Sequence, residues 1–193
     1  MPKLWDQTIE AHRVAVREAI LDAAAALVDE RGLLAVTMSR LAERAGIGRA
    51  TLYTYFPDVE SVLAAWHERQ VGRHLHQLSE VGAGAGDIEQ RLRAVLEAYA
   101  RIAFQRSSHF QGAEVAAVLH RGDATTRAEA HLKDFVRDLV AEGAEAGVLR
   151  DDVPAEELAG YCLHALGAAA VATSEAAVQR LVEVTLAGLR TAQ

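Results

Sequence analysis

The eight residues Arg49-Ala50-Thr51-Leu52-Tyr53-Thr54-Tyr55-Phe56 hold the chain's densest set of side chains suited to recognition chemistry. Leu52 and Phe56 stand four apart, so a helix puts both on one face, where they suit a core. Arg49, Ala50, Thr51, Thr54 and Tyr55 are then left to face outward. Arginine forks onto guanine or phosphate, threonine offers a hydroxyl and a methyl, and alanine permits close approach. Tyr53 and Tyr55 can bring hydroxyls to phosphates while their rings pack. Such a face suits the major groove of a duplex. Taken alone, the same octad reads as the solvated side of a short amphipathic helix, so its surroundings decide.

Other residues with chemical potential are less organised. His67 and His74 share a helix face but lie two turns apart, and His74 and His76 point in different directions. These spacings do not assemble a metal site, and Cys162 with His164 has the same two-residue problem. A lone Cys162 reads as a small buried thiol. Gly82–Gly86 imitates a glycine-rich nucleotide loop but follows a helix rather than a strand, so it reads as a flexible turn. No carboxylate pair or triad stands out. An enzyme, a metal and a cofactor are therefore not expected. Trp66, Tyr99, Phe104, Phe110 and Phe135 read either as core or as the wall of a ligand pocket between facing helices.

The octad must be positioned by helices. Val16, Ile20, Ala24, Leu27 and Val28 form a helical stripe, predicting a first helix over 10–31 that Gly32 ends in a left-handed cap. Thr37 caps a short helix, Met38–Ala45. Gly46-Ile47-Gly48 makes a tight turn with a hydrophobic plug, and Gly48 opens the octad helix. Pro57 breaks it, and Asp58 caps a long helix reaching about Val81. Asp87-Ile88-Glu89-Gln90 is a capping box. A further helix is expected over 112–120. Thr126-Arg127-Ala128-Glu129 reads as another capping box, Pro154 as a first helical position, and Ser174 as the cap of the last helix. The result is an all-α chain of about nine helices.

Composition agrees. The chain has 193 residues, 51% hydrophobic, with three prolines, which favours helix and excludes disorder. One cysteine forbids an intrachain disulfide. No signal peptide and no spanning segment are evident, so the cytoplasm is the expected compartment and no membrane the expected partner. The net charge of −7 argues against a generally sticky nucleic-acid binder. Its distribution is informative. Residues 1–57 balance 7 basic against 7 acidic side chains, and 58–193 hold 13 against 20, so all the excess lies in the second part.

Two short helices joined by a glycine turn behind a longer helix make a helix-turn-helix pattern. The segment from Thr37-Met38-Ser39-Arg40-Leu41-Ala42 through Ala45-Gly46-Ile47-Gly48 to Leu52-Tyr53-Thr54-Tyr55-Phe56 closely resembles the signature of the tetracycline-repressor (TetR) family. The resemblance covers about residues 10–65. It implies a DNA-binding domain over 1–56, a ligand-binding and dimerisation domain over 57–193, and an Ω-shaped homodimer. It implies a repressor that leaves a palindromic double-stranded DNA operator when a small organic ligand binds, with a ligand-dependent activator or a regulator lacking a small-molecule inducer as the runner-up. Thr37 and Ser39 match phosphate or groove contacts, Arg49, Ala50, Thr51, Thr54 and Tyr55 match recognition-helix contacts, and Tyr53 matches a support or phosphate contact. Gly48 replaces the commoner Ser, and Val59 stands where many members have Lys. A ligand pocket is expected near Trp66, Tyr99, Phe110 and Phe135. The dimer is expected through the last two helices, about 154–172 and 174–191, using Leu166, Ala169, Val178, Leu181, Val182 and Leu186. The rival class is a helical protein–protein adaptor, which salt-dependent binding to one palindrome would exclude.

Overall fold

The computed structural model describes residues 3–109 and 123–191. Among them are eight α-helices and no strand. They are α1 (Lys3–Arg31), α2 (Met38–Ala45), α3 (Arg49–Tyr55), α4 (Val59–Gly82), α5 (Ile88–His109), α6 (Asp123–Glu145), α7 (Ala155–Gly167) and α8 (Glu175–Leu189). Short 3-10 turns, Leu33–Ala35 and Ala168–Val171, precede α2 and follow α7. The helix expected over 112–120 and Phe110 lie outside the described residues. No described helix is long and apolar enough to cross a membrane.

Two compact units divide the chain, and one boundary between them falls inside α4, between Gln70 and Val71. The reason lies in the side chains of α4. Val62, Leu63 and Trp66 are buried in the core of the first unit, with Ile20, Leu21, Ala24, Leu27 and Val28 of α1, Leu41 of α2 and Leu52 of α3. Leu78 belongs to the second core, which is built from Leu92, Val95, Leu96, Val136, Val140, Leu158, Cys162, Leu166, Val182 and Leu186.

Local signals explain most helix ends. Ser61 N–H donates to Asp58 Oδ1 at 2.7 Å, starting α4. At α5 the capping box is reciprocal: Gln90 N–H donates to Asp87 Oδ1 at 2.8 Å and Asp87 N–H to Gln90 Oε1 at 3.3 Å. Ser174 Oγ accepts from Ala177 N–H at 3.2 Å and opens α8.

Several expectations are corrected. α1 begins at Lys3 rather than near Glu10, because nothing between those residues stops a helix. Gly32 has φ 76 but ψ 166, a positive-φ conformation essentially confined to glycine rather than the left-handed helical one. α6 begins at Asp123, which leaves Thr126 within the helix and not as its cap. Pro154 is the N-cap of α7, one residue before the first helical position. The Gly82–Gly86 stretch is not a plain flexible turn. Gly82 is the buried last residue of α4, and a Cβ there would lie 2.5 Å from Phe135 Cζ and 3.0 Å from Val95 Cγ2. Its carbonyl accepts from Arg91 Nε at 2.8 Å.

Candidate nucleic-acid interface

The turn between α2 and α3 fixes the site. Gly46 adopts φ 67, ψ 28, a left-handed conformation that glycine takes without steric cost. Its N–H bonds back to α2, and Ile47 N–H reaches Ala42 O at 3.0 Å, closing a Schellman cap. Ile47 packs partly buried against the core as the expected plug. Gly48 caps α3 through its backbone alone, with Leu52 N–H donating to Gly48 O at 3.0 Å. Leu52 is fully buried and Phe56 nearly so, which seats one face of α3 on the core.

The other face is open. Arg49, Ala50, Thr51, Tyr53 and Thr54 are exposed, and so are Thr37 and Ser39 beside them. Tyr55 differs from its expected outward place. It is half-buried against the core, because a residue three beyond Leu52 shares that residue's side of the helix. Tyr53 is 48% exposed and is the outward tyrosine. Two hydroxyls are engaged locally. Thr37 Oγ1 accepts from Arg40 N–H at 3.3 Å as the cap of α2, and Thr54 Oγ1 donates to Ala50 O at 3.1 Å.

Charge at this surface is reduced by pairing that spacing alone does not reveal. Arg44 clasps Glu30 of α1 with both terminal nitrogens, at 2.5 and 3.1 Å. That guanidinium holds the Glu30 carboxyl below the ordinary value of 4.5. Arg40 Nη1 donates to Ala35 O at 2.7 Å, tying α2 to the preceding turn. Arg49 makes no ion pair among the described residues. Of three arginines in the motif, only Arg44 has its charge matched by a carboxylate.

Elsewhere in this unit, Arg69 of α4 bridges to α1, with Nη1 2.7 Å from Glu18 and Nη2 2.9 Å from Asp22. Arg17 of α1 lies over the Phe56 ring, its guanidinium carbon 5.6 Å from the centroid. Sequence reasoning misses this contact, since no local pattern links α1 to the end of α3.

The comparisons decide the family. Residues 20–66 match the family of bacterial regulatory proteins known as tetR, and residues 93–191 match the C-terminal domain of SbtR-like transcriptional regulators. The chain belongs to the TetR family. TetR-family proteins are transcriptional regulators rather than enzymes. The chain is similar to the HTH-type transcriptional regulator BetI of Rhizobium meliloti, 31% identical over 119 residues. That match covers 62% of this chain and about half, 53%, of the relative's length. Its fold is similar to that of a TetR/AcrR-family regulator from Thermobifida fusca, with a TM-score of 0.73 and 22% identity over 91% of this chain and 98% of that one. It is also similar to that of FadR from Bacillus subtilis, solved in complex with stearoyl-CoA, with a TM-score of 0.66 and 15% identity over 90% and 99%.

The other residues singled out as candidates fall as follows. Trp66 is buried in the first core, and Tyr99 and Phe135 are half-buried against the second. Tyr99 Oη lies 3.5 Å from Leu163 O as a donor. A cleft within the second unit, between α5 and α8, is lined by Glu97, Arg101, Phe104, Val178, Gln179 and Val182. Leu166, Ala169, Val178, Val182 and Leu186 are buried within the single chain, and only Leu181 is half-exposed. Within the single chain this stripe packs into the second core. Exposed instead on α7, α8 and the turn between them are Tyr161, Val171 and Val184. Among the described residues no group of three or more His, Cys, Asp or Glu is placed to hold a metal. His164 Nδ1 turns to Gly160 O at 2.7 Å.

Proposed function

We propose that this TetR-family chain represses transcription by binding a near-palindromic operator as a homodimer, and that a small organic ligand releases it. The observation that carries this reading is the exposed row Arg49, Ala50, Thr51, Tyr53 and Thr54, held at fixed geometry by the Gly46 turn over a closed core. Arg49 and Thr51 read base edges, and Tyr53, Ser39 and Thr37 meet phosphates. Two heads related by a two-fold axis ask for half-sites about one helical turn, or a multiple of it, apart.

The dimer forms through α7 and α8, on the face bearing Tyr161, Val184 and Gly188 rather than on the buried stripe. Gly188 lets Tyr161 of α7 lie close over α8 within the chain, its Oη 3.3 Å from where a Cβ would stand. The ligand sits between helices of the second unit, near Tyr99 and Phe135. It acts by population shift, binding better to the dimer whose head spacing misfits the operator. A 100-fold loss of operator affinity needs about 2.7 kcal/mol of differential ligand binding.

The test is selection of duplexes from a random-sequence pool, followed by gel shifts. A near-palindrome should be recovered, and Arg49→Ala should cost about 1–3 kcal/mol and relax preference at its base. Unchanged binding by Arg49→Ala, Thr51→Ala and Tyr53→Ala alike would overturn the assignment. Val184→Arg should yield folded monomers in sedimentation; a dimer that persists moves the interface elsewhere.

A further inference from the structure

In the helix-turn-helix only Arg40 and Arg49 carry charges that no carboxylate matches, which is little for a polyanion. Phosphate neutralisation supplies a large share of duplex affinity, and each contact must come from a cation not already spent. Arg44 is clasped by Glu30, whereas Arg40 hydrogen-bonds the neutral Ala35 carbonyl and keeps its charge. Val59 offers no cation at the start of α4. The first unit nevertheless carries two more arginines that are about half or more exposed, on the helix that packs against the end of α3.

We propose that Arg13 and Arg17 of α1 form a second phosphate-binding surface that extends the recognition helix along the DNA backbone. Arg17 stacks on Phe56, the residue at which α3 ends, 5.6 Å from its ring centroid, with 47% of its side chain exposed. Arg13 is four residues earlier, one turn out on the same face of α1, and 67% exposed. Stacking on the ring holds the Arg17 guanidinium over the end of α3 while leaving its edge free to donate. The acidic residues facing this surface are weak competitors. Glu10 approaches Arg13 only to 3.7 Å and Glu18 approaches Arg17 to 3.9 Å. Glu18 is itself held at 2.7 Å by Arg69, which also takes Asp22. The Arg69 bridge thus neutralises the carboxylates of α1 that would otherwise repel a phosphate.

This proposal rests on the operator reading and is tested so that the two fail separately. Arg17→Met keeps an apolar stem over Phe56 and removes only the charge, so Arg13→Ala/Arg17→Met should fold like the parent chain. Binding of the full-length protein to a duplex selected from a random pool by the parent is measured against salt concentration. With two phosphate contacts gone from each protomer, four per bound dimer, the slope of log Kd against log salt should become shallower by about 3.6 units, at roughly 0.9 per contact. Base preference should be unchanged, whereas Arg49→Ala should alter it. Arg13→Ala/Arg17→Lys should recover about half of that change. If the double variant keeps the parent's slope while Arg49→Ala loses preference, the α1 surface is refuted and the operator reading stands. If the parent selects no duplex, both are refuted. A double variant whose unfolding temperature drops sharply would instead show these arginines to be structural and would also refute the proposal, provided Arg13→Ala/Arg17→Lys fails to restore the slope.

Discussion

Cys162 has no exposed surface, and its burial among Leu158, Leu166 and Val182 pushes the thiol up to about 12. Only the thiolate attacks disulfide reagents, so this group is inert for two reasons, access and protonation. Native protein at mildly alkaline pH should release no chromophore from an aromatic disulfide reagent, and denatured protein should release one equivalent per chain. Equal rates in the two states would mean that the second core opens readily. The thiol's fate is legible in the sequence, because a lone cysteine on an apolar stripe has no partner to activate it. Thr37, Gly46, Asp58 and Ser174 are legible too, since a cap is satisfied within three or four residues of itself. The partners of Arg44, Arg69 and Arg17 are not. Each lies on another helix, and no spacing rule connects Arg69 to Glu18. Tyr53 and Tyr55 resist ordering from sequence because both sit close to Leu52 along the chain and differ only in angle about α3.

Helix packing turns on a few small residues. Gly143 lies within α6, where alanine would ordinarily be preferred by about 1 kcal/mol. Here a Cβ would collide with Leu149, whose Cγ stands 2.7 Å from its position and whose side chain is buried. Leu149 folds back over the helix end, its N–H donating to Gly143 O at 3.1 Å. Gly143→Ala should therefore destabilise by about 1–3 kcal/mol despite the better propensity. In a Leu149→Ala background the same change should be neutral or stabilising, and equal effects in both backgrounds, from denaturant midpoints, would show that Leu149 is not the obstacle. Periodic stripes make α4, α5 and α8 legible. The starts of α1 and α6 escape the same reading because apolar periodicity fades before the backbone leaves the helix. The Gly82 turn misleads for another reason. Glycine's lack of a side chain serves flexibility and close packing alike, and only the neighbours, here Phe135 and Val95, tell which.

The whole molecule carries its charge unevenly and stabilises it through surface pairs. Glu30, Asp152, Glu156 and Glu183 are each held below their ordinary values by bonds to Arg44, Arg150, Lys133 and Arg93. A carboxyl lowered in the folded state contributes stability above its unfolded value and loses it as pH falls through the lowered one. The glutamates' contribution is thus intact above about 4.5 and fades below it. The unfolding temperature should hold down to that region and then fall, by less at high salt because the pairs are exposed. A decline that starts well above it would assign acid sensitivity to other groups.

The division of α4 between two cores has a consequence for dissecting the protein. Truncation at Pro57, where the sequence breaks most visibly, would strip Val62, Leu63 and Trp66 from the head. Such a fragment would leave an apolar hollow facing water and should be aggregated or molten, with dispersed amide resonances missing. Extending it to Gln70 restores those three side chains and the Arg69 bridge to Glu18 and Asp22. A protease would also find no slack connector between the two units in this stretch, because the peptide bonds joining them lie within a continuous helix. Cleavage there should require local unwinding and so proceed no faster than the exchange of the α4 amides between Arg69 and Arg73.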